Sequence, residues 1–207
     1  DYELRPISFD AKEQKSDWYL ALNPNGRIPT LVDRAADDFV VFESGAILWY
    51  LAERFDRFLP QDGRQRSEAL QWLMFQMAGV GPMMGQAMYF QRIASPRGHH
   101  DAFAIQRYVK ESRRLLEVVD ARLDGRPYLL GDFYSIVDMA MYPYARSHYW
   151  AKVSVEGLDS LQRWFDRLDA RPAIQRALQL PSPFPAFVGV GDVAGSLALN
   201  AGRFADT

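Results

Sequence analysis

The segment Phe42-Glu43-Ser44-Gly45-Ala46-Ile47 joins a run of strand character to a run of helical character, with an acid and a hydroxyl at the junction. Ser44 suits a helix cap. A helix start leaves N–H groups and the positive end of the dipole facing outward, a place that readily takes a carboxylate. Glu43 beside it offers a negative charge to an ammonium group. A carboxylate and an ammonium on one carbon describe an amino acid, although a plain cap next to an exposed acid accounts for the same residues. A second segment, Asn23-Pro24-Asn25-Gly26-Arg27-Ile28-Pro29-Thr30-Leu31, is a strong turn signal running into a proline near the start of a strand. Pro29 cannot donate to a ladder, so it belongs at an edge, a strand start or a bulge. Alternatively, a cis Ile28–Pro29 bond turns the Ile28 backbone outward to pair with a bound peptide. The third segment, Tyr134-Ser135-Ile136-Val137-Asp138, reads as a capping box, in which Ser135 and Asp138 each satisfy a backbone N–H at a helix start. Its role is structural. The chain has no cysteine, so any thiol chemistry must use a thiol from outside it.

These residues need elements to position them. Residues 4–9 alternate loosely and predict a short strand, and 17–23 predict a short helix with Trp18, Tyr19 and Leu22 on one side. Residues 28–33 and 39–43 read as two strands joined by the charged loop 34–38, consistent with a hairpin. Residues 44–55 read as a helix with Ile47, Leu48, Leu51 and Phe55 as its apolar stripe. The turn-rich stretch 58–63 is the expected boundary, separating a unit at 1–60 from one at 67–207. Beyond it, helical patterns cover about 67–92, 100–123, 135–150, 158–168 and 172–178. The tail from Pro181 carries Phe184, Phe187, Val188, Val190 and Leu197, which suggests a segment laid over the body. The architecture is a small α/β unit followed by an all-helical one.

Composition narrows the function. A net charge of −2, with Lys and Arg interleaved among Asp and Glu, gives no clustered basic surface, so a nucleic-acid partner is not expected. The longest apolar stretch, 70–90, holds Gln71, Gln76, Gln86 and Pro82, which suits a helix buried in protein rather than in lipid. No export signal is visible, and a cytoplasmic location is expected. Pro82 among Gly79, Gly81 and Gly85 predicts a kink, shaping a cleft or simply packing the core. Met77, Met83, Met84 and Met88 suit either an adaptable cleft or plain core. Adjacent histidines point in different directions, so His99-His100-Asp101 reads as a solvated loop and no metal is expected.

The three segments, in this order and spacing, resemble the cytosolic glutathione S-transferases. The matching stretches are 23–31, 42–55 and 128–142, and the coarse architecture covers nearly the whole chain. The finer resemblance is to the bacterial Nu class and its fungal prion-related relatives, carried by Asn-Pro-Asn-Gly-Arg-Ile-Pro, by Phe-Glu-Ser-Gly-Ala-Ile-Leu and by the stretch from Trp72 to Met83. The resemblance implies a thioredoxin-like N-terminal domain, here lacking its first strand and helix, followed by an all-helical domain. It implies glutathione as co-substrate, held by Gln14 and Arg27 at its glycine end, by the Ile28 backbone beside cis-Pro29, and by Glu43 and Ser44 at its γ-glutamyl end. Met83, Tyr89, Arg92, Tyr149 and Trp150 become candidates for a pocket taking a small apolar electrophile. A homodimer is implied as well. In the family the thiol-activating side chain ends the first strand, so no residue here is assigned that role and it is expected upstream. The implied activity is glutathione transfer to an electrophile or glutathione-dependent reduction of peroxides or disulfides. The alternative is a binding or regulatory module without turnover.

Overall fold

The computed structural model describes residues 2–180, which divide into two compact units, 55–177 forming the second and the remaining described residues the first. The apolar tail residues singled out above lie outside the described residues.

In the first unit, a helical turn at Glu13–Lys15 leads into α1 (Asp17–Leu22), followed by β1 (Thr30–Asp33), β2 (Phe39–Phe42) and α2 (Ser44–Arg54). The two strands form the expected antiparallel hairpin, with Thr30 opposite Phe42 and Asp33 opposite Phe39. The strand expected at 4–9 is not formed. Alternation gives the segment an extended path, but it has no ladder partner among the described residues, and a strand exists only by pairing. Asp33 ties the hairpin to α2. Its Oδ2 accepts from the Tyr50 hydroxyl at 2.7 Å and pairs with Arg54 Nε at 2.7 Å. That bond to a carboxylate also pushes the Tyr50 hydroxyl pKa up. Phe55, expected on the buried stripe of α2, is 63% exposed.

The second unit is helical: α3 (Gly63–Phe75), α4 (Gly81–Tyr89), α5 (Ala102–Leu123), α6 (Ile136–Arg146), α7 (Asp159–Asp169) and α8 (Pro172–Ala177). α3 begins four residues ahead of expectation because Asp62 caps it, accepting from Arg64 and Gln65 N–H at 3.0 Å each. Asp101 likewise caps α5 through Ala104 N–H, so this acid has a structural task beyond a solvated loop. The core is built from Leu73, Met84, Leu116, Met141, Trp164 and Phe165, all essentially buried. Met84 is therefore core, not cleft.

At Pro82, the helical path continues without a break. Gln76–Val80 widens into a π-helical turn, and Gly81 N–H bonds back five residues to the Gln76 carbonyl. The same device recurs at Phe90–Ala94, where Ser95 N–H bonds to Phe90 C=O just before Pro96. A proline ring inside a helix collides with the carbonyl four residues back. Widening the preceding turn moves that carbonyl aside, so each X-Pro is accommodated by its own wide turn. A Cβ at Gly81 would be tight, 3.2 Å from Gln76 Nε2 and 3.3 Å from its carbonyl, so these neighbours would have to give by a few tenths of an ångström.

Candidate functional site

The loop carrying Arg27, Ile28 and Pro29 is held from the inside. Asn23 is buried, and its side-chain N–H reaches the Arg27 carbonyl at 2.6 Å. The Tyr19 hydroxyl donates to the same carbonyl at 2.9 Å and lies 3.0 Å from Thr30 Oγ1. Asn23 Oδ1 also accepts from Asn25 N–H, closing a side-chain turn. The Ile28–Pro29 bond is cis. With the Arg27 carbonyl turned inward, Ile28 is 49% exposed and neither its N–H nor its C=O has a partner among the described residues. A free donor and a free acceptor on one exposed residue are what a second backbone needs for pairing.

Glu43 stands across from this loop. The register sets Phe42 opposite Thr30, and Asn25 Nδ2 reaches Glu43 Oε1 at 3.4 Å. Glu43 takes a left-handed backbone (φ 70°), and its carbonyl accepts the first helical bond of α2 from Ile47 N–H. The flanking cap position thus falls to Glu43, and Ser44, expected as the cap, is the first helical residue. This one-residue shift keeps the α2 N-terminus beside the Glu43 carboxylate, since the left-handed residue makes the strand-to-helix turn.

Gln14 lies in the helical turn before α1, with its side-chain oxygen buried and unpartnered. Its backbone packs on Gly26, beside Arg27. Arg27 is exposed and pairs with no acid among the described residues. Lys15 reaches the Asn25 carbonyl at 3.3 Å and adds a second positive charge at this end of the loop. Gly26 is required here: at φ 61°, a Cβ would meet Lys15 Nζ at 2.8 Å and the Gln14 carbonyl at 2.9 Å. Gly26→Ala is therefore expected to destabilise the protein by about 2 kcal/mol, measured by urea unfolding, through left-handed strain plus the backbone clash. A change below a few tenths would show that the loop shifts freely.

The structure thus gathers Arg27, Ile28, Pro29, Glu43 and Ser44 around one loop and one helix start, with Gln14 at the edge. Sequence reasoning missed Tyr19, Asn23, Asn25 and Lys15. The only signal for the asparagines was their place in the turn, and nothing local marked Tyr19 as a tether.

In the second unit, Arg92, Tyr149 and Trp150 come together. Arg92 donates to the Trp150 carbonyl at 2.5 Å and reaches the Tyr149 carbonyl at 3.4 Å. Gln91 donates to the Ala151 carbonyl next to them. α6 ends at Arg146, short of the expected 150, and residues 147–152 form the turns that these side chains hold. Met83 and Tyr89 both lie on α4, but six residues of helix set them about 120° apart around its axis, so they do not share a face.

The same turn holds His148. Its Nδ1–H donates to the Val153 carbonyl at 2.8 Å and its ring stacks on Phe165, so burial pushes its pKa below 6.5. The unfolded chain then takes up a proton near pH 6.5 that the folded chain resists. Stability from this group is complete above that pH and is lost as the pH falls toward the depressed folded value. The melting temperature is expected to drop between pH 7.5 and 5.5, and the drop should be shallower in His148→Gln. An identical slope in the variant would assign the pH dependence elsewhere.

Ser135 and Asp138 form the capping box that opens α6. Asp138 is fully buried. It accepts from Ser135 N–H at 3.1 Å, from Leu129 N–H at 3.0 Å and from the Trp164 indole at 3.0 Å.

A cis-proline loop facing a Glu–Ser helix start, with a capping-box helical unit after it, defines the class that pairs a thioredoxin-like peptide-binding unit with an all-helical one. Residues 1–53 match the glutathione S-transferase N-terminal domain, and 77–172 match the glutathione S-transferase C-terminal domain. The chain is 37% identical over 182 residues to the disulfide-bond oxidoreductase YfcG of Escherichia coli K12, covering 86% of this chain and 83% of that protein. Among solved structures, it is 41% identical to a glutathione transferase from Burkholderia graminis with two glutathione molecules per subunit (TM-score 0.84, covering 87% of this chain and 78% of that one). It is 38% identical to a glutathione transferase from Pseudomonas putida with one glutathione disulfide per subunit (TM-score 0.82, covering 88% and 82%). The chain belongs to the glutathione S-transferase family.

Proposed function

We propose that the first unit binds glutathione and that the protein uses it in thiol–disulfide exchange. The observation that carries this reading is the exposed, unpaired Ile28 backbone facing Glu43 and the α2 N-terminus across the Asn25–Glu43 contact. The Ile28 N–H and C=O pair with the cysteinyl residue. Glu43 takes the γ-glutamyl ammonium, while Ser44 and the first turn of α2 take its carboxylate. Arg27 takes the glycine carboxylate, with Gln14 beside it. The relatives that hold two glutathiones or glutathione disulfide, and the relative named for disulfide-bond oxidoreduction, favour exchange over conjugation.

The chain has no cysteine, so the attacking thiolate and both sulfurs of the disulfide arrive as ligands. The bound glutathione thiolate attacks one sulfur of a substrate disulfide and forms a mixed disulfide, and the departing sulfur leaves as a thiolate. A second glutathione thiolate attacks the glutathionyl sulfur, releasing glutathione disulfide and the second substrate thiol. The thiol-activating donor is not assigned to any described residue. Conjugation of apolar electrophiles, a detoxifying role, is the second reading, favoured by half-buried Met83 and Met88 on α4.

The loop and helix-start motifs support the finer reading as a Nu-class member. Exposed Leu70 and Met74 on α3 support a homodimer, and a cytoplasmic setting goes with a glutathione-dependent enzyme. No helix among the described residues is long and apolar enough to cross a membrane.

Calorimetry with glutathione, followed by turnover of bis(2-hydroxyethyl) disulfide coupled to glutathione reductase, tests this reading. Binding in the micromolar to millimolar range with turnover is the expected result. Binding without turnover of disulfide, peroxide or electrophile would select the non-catalytic module, and absence of binding would remove the site.

A further inference from the structure

Arg92 is a half-buried cation for which the described residues supply no counter-charge. It pairs with no carboxylate among the described residues, and its hydrogen bonds run to two main-chain carbonyls, those of Trp150 and Tyr149. These use Nε and Nη2 and leave Nη1 without a partner among the described residues, although a guanidinium has more donors than two acceptors can satisfy. Carbonyl dipoles orient the group but do not neutralise it. Arg146, which shares the electrostatic surroundings of Tyr149, is compensated by Asp169 at 3.2 Å. Taking a charge out of water without pairing it is expensive, and burial already lowers the Arg92 pKa. The orientation is fixed as well: the wide turn 90–94 sets Arg92, and the carbonyls of turn 147–152 clamp one edge of its fork.

We infer that Arg92 is the anchor of an anion subsite in the helical unit, taking a carboxylate of the second substrate through the unbonded edge of its guanidinium, beside Tyr149 and Trp150. The planar fork matches a carboxylate, which supplies the missing counter-charge and the missing acceptors at once. The inference rests on the proposal that a second, disulfide-bearing molecule binds this protein, and it narrows that molecule's class. Such substrates are disulfides with acidic arms, preferred over neutral ones of similar size. Arg92 is a specificity-determining residue, because a carboxylate arm lies several bonds from the exchanging sulfur.

The experiment compares two disulfides, the dianion 3,3′-dithiodipropionate and neutral bis(2-hydroxyethyl) disulfide. Their dissociation constants are measured on the whole protein with and without unreactive S-methylglutathione. The dianion is expected to bind wild type about tenfold tighter at low salt, with the advantage shrinking as salt rises. Arg92→Gln should bring the two within about twofold, and Arg92→Lys should keep part of the preference. Because Arg92 also clamps a turn, thermal melts accompany each variant. If Arg92→Gln does not fold, the salt series on wild type and the Lys variant decide. Equal affinities in wild type, or an undiminished preference in a folded Arg92→Gln, would overturn the inference. Failure of S-methylglutathione to bind would count against the glutathione site, while the two disulfides measured alone would still decide on Arg92.

Discussion

Asp138→Ala should cost the protein about 4 kcal/mol of stability, a large share of the roughly 5–15 kcal/mol that a folded domain has to lose. The carboxylate is fully buried, and four donors converge on it from three places: the Ser135 N–H and hydroxyl at the start of α6, the Leu129 N–H in the loop before it and the Trp164 indole on α7. Truncation leaves the Ser135 and Leu129 N–H groups and the Trp164 indole N–H buried without an acceptor. Each such orphan costs about 1–3 kcal/mol, less where water enters the cavity. Asp138→Asn should cost roughly half as much, since one amide face still accepts while the other presents a donor to a donor. Burial raises the Asp138 pKa despite the donors around it. A group whose folded pKa is raised favours folding most at low pH and loses that contribution as the pH rises through the folded value. Mild acid should therefore not unfold the protein through Asp138. Urea unfolding of wild type and both variants measures the costs, and a loss below about 1 kcal/mol for Asp138→Ala would mean that the loop and α7 hold α6 by packing alone.

The second large effect is on binding. Glu43→Gly should weaken glutathione affinity by roughly 30- to 100-fold, because it deletes the carboxylate proposed to take the γ-glutamyl ammonium. Glycine is the informative replacement. Glu43 sits at φ 70°, where glycine is at ease and alanine is not, so the variant should melt no lower than wild type. Loss of affinity without loss of stability isolates the charge. Ser44→Ala should weaken binding less, since the backbone N–H groups of α2 remain. Unchanged affinity in both variants, read by calorimetry, would remove the γ-glutamyl site from this end of α2.

The parts of this structure legible in the sequence are those settled by a few neighbouring residues. The Asn-Pro-Asn-Gly turn, the charged hairpin loop and the Ser135–Asp138 box state their geometry locally. The start of α2 was legible to within one residue, because a glutamate in left-handed conformation carries no sequence mark. Residues 4–9 show the converse: alternation marks an extended chain, but only a neighbour makes it a strand. The tethers of the site were out of reach for the same reason. Tyr19 finds the Arg27 carbonyl only once α1 is folded against the loop, and Trp164 finds Asp138 from 26 residues away. Asp62 was an available cap signal, masked by the Gly63 that follows it. The wide turns leave no trace in composition, and only the prolines that follow them hint at their place.

Those two wide turns change what an insertion or deletion would do in this protein. Each holds one residue more than ordinary winding requires, so the chain between Gly63 and Arg97 resembles a straight helix that has absorbed two single-residue insertions. Five residues in the wide turn sweep roughly the same angle as four at ordinary pitch, so removing one residue from 76–80 would restore the common pitch there and leave the downstream faces in register. Met83, Tyr89 and Arg92 would keep their faces, whereas a residue lost from the ordinary winding of α3 would swing all three by about 100°. A gained or lost codon is thus silent at the wide turns and re-aims whole rows of side chains elsewhere along this helix.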